Sequence, residues 1–108
     1  MDILLKASVR CSAGFFKIPT YRVWVNDNLY TEREFWVDFT HDMIVEHMTV
    51  DLDIGEQCVV KLEKIRPKSN SIVWISNLEV TYDKKNYIMK YERDTVLNDI
   101  QRISFEIV

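Results

Sequence analysis

MIVEHMTVDLDIGEQCVVKLE, running from Met43 to Glu63, alternates apolar and polar side chains on both sides of a glycine. Met48, Val50 and Leu52 interleave with Thr49, Asp51 and Asp53; Cys58, Val60 and Leu62 then interleave with Val59, Lys61 and Glu63. A period of two is that of a β-strand, one row facing a core and the other facing water or a partner. Between the runs, Asp53-Ile54-Gly55-Glu56 has turn chemistry: Asp can bond its own downstream backbone, and Gly55 accepts a positive φ. The stretch therefore predicts a β-hairpin with its register fixed by the buried rows.

Working outward, the same alternation recurs. Toward the N-terminus, Ile3, Leu5, Ala7, Val9 and Cys11 form an inward row against Leu4, Lys6, Ser8 and Arg10, and Tyr21, Val23 and Val25 form the next, with Arg22 and Trp24 opposite. Asn26-Asp27-Asn28 turns the chain into a return strand over residues 29–37, in which neither side is purely apolar. Two loops are expected, Ser12 to Pro19, whose Phe15-Phe16 pair would close one end of the core, and Asp38 to Asp42. Toward the C-terminus, Arg66 to Ser71 is polar and predicts an exposed loop, with Pro67 ending the strand. A long strand follows over residues 72–82, with Ile72, Trp74, Leu78, Val80 and Tyr82 in one row interrupted by Ser76. A turn at Asp83 to Asn86 returns it as Tyr87, Met89 and Tyr91. Residues 93–100 have weak periodicity and fit one helical turn or a loop, and residues 102–108 make a last strand with Ile103, Phe105 and Ile107 inward.

About eight strands at regular spacing in 108 residues predict an all-β protein: residues 1–108 as one antiparallel β-sandwich, jelly-roll-like, with an up-and-down barrel as the alternative topology. No secretion signal is expected, since the chain opens directly into an alternating strand, and the apolar runs are too short for a membrane helix. Cys11 and Cys58 both fall on inward rows and are expected as reduced core thiols rather than as a disulfide between sheets.

The formal net charge is −3, unevenly spread. Asn26 to Glu56 holds nine acids and one base, whereas Gln57 to Arg102 holds nine bases and six acids. The acidic half opposes nucleic-acid binding and suits a basic partner, a cation, or plain solvation. Asp38, His41, Asp42, Glu46 and His47 are the densest group of potential ligands, but their spacing matches neither a calcium nor a zinc site, so no metal and no other cofactor is expected. There is no Gly-rich phosphate loop and no nucleophile elbow. Asp51 and Asp53 lie along one strand face instead of across a cleft, and no enzyme is expected.

The aromatic side chains are more suggestive. Alternation places Trp24, Tyr30 and Trp36 on one face of the hairpin with Arg22, Glu32 and Glu34. Rings beside hydrogen-bonding groups form an anchor patch for protein contact or a platform for sugar rings; the same rings would equally serve as core. Arg22, Trp24, Tyr30, Glu32 and Trp36 are the binding residues expected from the sequence.

The run Tyr21 to Asn26, the later Val50 to Glu56 and Ser76 to Val80 together resemble the layout of small carbohydrate-binding-module-like jelly rolls. In calcium-dependent members, loop carboxylates and carbonyls hold ion and sugar; no such ligand is carried over here. To a lesser degree the chain resembles accessory sandwich proteins of tailed-phage particles. That resemblance implies a noncatalytic virion component in capsid decoration, tail or neck, with protein partners or other copies of itself, and otherwise a cytoplasmic location. The alternative it leaves is a carbohydrate-binding module that takes a glycan, with or without calcium.

Overall fold

A computed structural model describes residues 1–12, 18–36, 42–66 and 71–108. These residues form eight strands and one short 3₁₀ turn: β1 (Asp2–Cys11), β2 (Thr20–Val25), β3 (Asn28–Glu34), β4 (Ile44–Asp51), β5 (Gln57–Arg66), β6 (Val73–Tyr82), β7 (Lys85–Lys90), the turn Arg93–Thr95, and β8 (Ile100–Glu106). The Phe15-Phe16 pair, Asp38, His41 and most of the polar loop after Arg66 lie outside the described residues.

The strands make two antiparallel four-stranded sheets, ordered β4-β1-β6-β7 and β3-β2-β5-β8. Only β2–β3 and β6–β7 are hairpins; the other consecutive strands lie in opposite sheets. A barrel that runs up and down would make neighbours of all of them, so the architecture is a sandwich of two antiparallel sheets. Each hairpin turns on two residues in the left-handed region, Asn26 and Asp27 (φ 47° and 66°) and Asp83 and Lys84 (φ 48° and 61°). That backbone twist matches the twist of the flanking strands.

The stretch from Met43 to Glu63 is not a hairpin. β4 pairs with β1 in one sheet, and β5 pairs with β2 and β8 in the other. The turn between them is an arch that carries the chain across the core. Glu56 N–H donates to the Asp53 carbonyl at 3.1 Å, and Gly55 has φ 93°. Gly55 N–H also donates to the Ile107 carbonyl at 2.7 Å, which anchors the arch to the segment after β8. The inward rows are nevertheless those expected: Met48, Val50, Leu52, Cys58, Val60 and Leu62 are all buried. Alternation reports which side of a strand is covered, and both a hairpin and an arch satisfy it.

One cluster of buried apolar side chains lies between the sheets, including Ile3, Leu5, Val9, Tyr21, Val23, Phe35, Ile75, Leu78 and Ile107. Burying a Val, Leu or Ile contributes about 1.5–3 kcal/mol against leaving it exposed. Along β6 the register against β1 shifts between Ser8 and Val9, leaving Ser76 as the extra residue. The bulge exchanges the faces, so Val73 and Ile75 are buried where Ile72 and Trp74 were expected.

Candidate functional site

The expected binding residues separate. Arg22 and Trp24 point outward from β2, and Arg22 Nε donates to Glu32 Oε1 at 2.6 Å across the hairpin. Lys61 on β5 lies level with Trp24 and holds its Nζ 4.9 Å from the ring centroid. The half-buried indole is thus covered by its neighbours, and its Nε1 is buried without a hydrogen-bond partner among the described residues. Between Val23 and Trp24 the β2–β3 register shifts, so Trp24 faces Leu29 and not Tyr30. Tyr30 instead reaches the other sheet, where its hydroxyl donates to the Thr49 carbonyl at 3.1 Å. Trp36, 70% exposed, lies beyond the end of β3, about 20 Å from Leu29 along the strand direction. Arg22, Trp24 and Glu32 are brought together; Tyr30 and Trp36 do not join them.

Tyr30 belongs to a set of links that tie β3 to β4 at one edge of the sandwich. Glu46, on the inward row of β4, accepts from Tyr21 Oη at 2.7 Å and from Arg33 Nε at 2.6 Å through Oε1, while Oε2 accepts from Arg33 Nη2 at 3.2 Å. Its side chain is 6% exposed. A buried carboxylate needs such a set of donors, and a two-pronged guanidinium supplies the best geometry. Burial, and next the Glu46 carboxylate, hold the Tyr21 hydroxyl above the ordinary tyrosine range, and Glu46 raises the Arg33 guanidinium in turn. Glu46 therefore has a structural partner set, and His47, one residue along, projects from the opposite, exposed face. Among the described residues no group of three or more His, Cys, Asp or Glu side chains gathers as metal ligands would.

A second inward charge, Lys64 on β5, is 1% exposed. It donates to the Ser71 carbonyl at 2.6 Å and pairs with Asp99 Oδ1 at 3.3 Å. Both Glu46 and Lys64 continue the parity of an apolar row, Met48-Val50-Leu52 and Cys58-Val60-Leu62, and that parity is the sequence signal that marks them as buried pairs. Cys11 and Cys58 are free and buried, one in each sheet. Burial pushes their thiols up to about 12 and about 11, so neither is a nucleophile near neutral pH.

The opposite edge of the sandwich differs. β7 and β8 are the last strands of their sheets, and between them opens a cleft of about 400 Å³ lined by Val80, Tyr82, Tyr87, Met89, Phe105 and Val108. Tyr82 and Tyr87 lean together with ring centroids 5.7 Å apart. The Tyr82 hydroxyl donates to the Val108 carbonyl at 2.9 Å, which fixes the floor of the cleft. Along it, Tyr87 is 40% and Ile88 56% exposed, and Asn86 and Glu106 supply the polar part of the lining. In the sequence Tyr87 and Met89 have the pattern of an ordinary return strand; the edge position that exposes them follows from topology. Chemically the cleft offers apolar contact and aromatic rings, with polar groups at its margin, and suits an extended apolar segment.

No family model, curated protein or solved structure matches this chain. Its function must be read from its own geometry.

Proposed function

We propose that this chain is a noncatalytic interaction module that acts through protein–protein contacts at the edge between β7 and β8. One observation carries the reading: an apolar cleft is left uncovered beside a strand that ends its sheet, whereas the other edge is bridged by side chains. Natural sheets blunt or cover such edges, and an open one with aromatic lining is a contact surface. In this reading the chain takes the place of an accessory component, of the kind that tailed-phage particles use in capsid decoration, tail or neck. The buried thiols and the ion-paired Glu46 and Lys64 fit a structural role for the residue types that otherwise supply catalysts. A sugar platform needs coplanar rings within reach of one ligand, and the separation of Trp24, Tyr30 and Trp36 gives it less support.

The test is selection of a displayed library of random peptides on the immobilised protein. The reading predicts apolar, extended sequences that lose binding on Tyr87→Glu and keep it on Trp24→Ala. Binders indifferent to Tyr87→Glu, or Trp fluorescence quenched by members of a polysaccharide panel, would contradict it.

A further inference from the structure

The free edge of β7 is self-complementary, and we infer that it pairs with β7 of a second copy, antiparallel about a two-fold axis through Ile88. This rests on the interaction reading above and names the partner. Across the two-residue turn, Tyr82 pairs with Lys85, Val80 with Tyr87 and Leu78 with Met89. In such a hairpin the closing pair exchanges backbone hydrogen bonds, and every second pair after it does the same. Tyr91 keeps the pattern, its N–H donating to the Ser76 carbonyl at 3.0 Å. The backbone groups of residues 85, 87, 89 and 91 therefore serve β6, and those of Asn86, Ile88 and Lys90 point away from it. Among the described residues no strand follows β7 in its sheet.

Placing Ile88 opposite Ile88 of the second copy sets every other pair by arithmetic. Asn86 comes opposite Lys90, Tyr87 opposite Met89 and Lys85 opposite Tyr91, so no two like charges meet. At the ends Lys84 comes level with Glu92, whose backbone is extended (φ −96°, ψ 161°). Lys84 in the turn and Glu92 past the end of β7 carry opposite charges, and their approach across the ends of the paired strands favours this register, which like charges would oppose. Tyr87 and Met89 meet on the inner face, over the mouth of the cleft, so pairing covers apolar surface as well as satisfying the ladder. A two-fold contact of this kind closes on itself and stops at a dimer.

Sedimentation velocity over a concentration series tests the pairing on the full chain. The wild type is expected to form a dimer that dissociates on dilution. Lys84→Glu and Glu92→Lys each place like charges opposite one another twice per dimer and should raise Kd about three- to tenfold, and the double swap should restore it. Ile88→Pro removes an N–H that β6 does not use and should raise Kd about tenfold or more with the circular dichroism of the fold retained. Single swaps without effect, or a double swap no better than either, would overturn the register. A wild type that stays monomeric at every concentration overturns the pairing; if it still binds selected peptides through Tyr87, the interaction reading stands, and if it does not, both fall.

Discussion

The two edges of this sandwich are built from similar strands and have opposite fates. At the β3/β4 edge, three side chains cross from one sheet to the other: Tyr30 to a backbone carbonyl, and Tyr21 and Arg33 to the two oxygens of Glu46. At the β7/β8 edge a cleft of about 400 Å³ lies open, with a hydrogen bond from Tyr82 to the Val108 carbonyl at its floor. The lesson is that polar links and apolar contact solve the same problem differently. A buried carboxylate demands partners within the chain, so the first edge is satisfied internally. An apolar cleft demands only to be covered, which leaves its occupant free to be another molecule.

Glu46→Ala should break the comparison hardest. It leaves the Tyr21 hydroxyl buried without its acceptor and Arg33 without its carboxylate, at about 2–4 kcal/mol of folding stability, read from denaturant unfolding. The half-exposed Arg33 can rehydrate, which holds the cost below that of a fully buried pair.

Alkaline pH probes the same edge. The ordinary tyrosine value is 10.0, and Tyr21 lies above it in the folded state, chiefly through burial. The stabilisation is thus complete below about pH 10 and is lost as pH rises beyond that value, because the unfolded chain ionises there while the native one resists. Tyr21→Phe should remove this part of the alkaline decline, measured as melting temperature against pH.

Tyr87→Glu, at the open edge, should lower folding stability by about 0.5–1.5 kcal/mol, through the loss of its ring contact with Tyr82. It should nevertheless abolish binding of peptides selected on the cleft. A large loss of stability would mean that the cleft is core rather than contact surface.

Arg22→Ala lies on the outer face of the hairpin, away from both edges, and marks the low end of the scale. Its ion pair with Glu32 has both side chains well exposed, and screening reduces its worth to about 0–1 kcal/mol. A loss well above that, read from the same denaturant unfolding curves, would show that the outer face also holds the sheets together.

Much of this fold is legible in the sequence, and the limits have definite physical causes. The inward rows of β1, β2, β4, β5 and β8 follow from alternation, and the left-handed turn residues at Asn26-Asp27 and Asp83-Lys84 lie where polar turn chemistry puts them. Sheet membership does not follow, because Met48 and Cys58 satisfy the same pattern whether β4 and β5 pair or face each other. Bulges are equally silent. One extra residue opposite the Val23/Trp24 step turns Tyr30 away from Trp24, and another at Ser76 exchanges the faces of the first part of β6. For the site, Arg22 and Glu32 are legible as neighbours because both lie on the same side of the shift, and Trp24 joins them because it shares the outward row of β2 with Arg22. The β7/β8 cleft was not, since Tyr87 and Met89 look like any inward row until the topology leaves them at an edge.

Amide hydrogen exchange, measured at low and high protein concentration, tests the contrast between the edges most directly. The amides of Asn86, Ile88 and Lys90 should exchange freely in dilute solution and gain protection as concentration rises, while those of β3 stay unchanged. Concentration-dependent protection along β3, with none at Ile88, would contradict the assignment of one edge as bridged and the other as open to a partner.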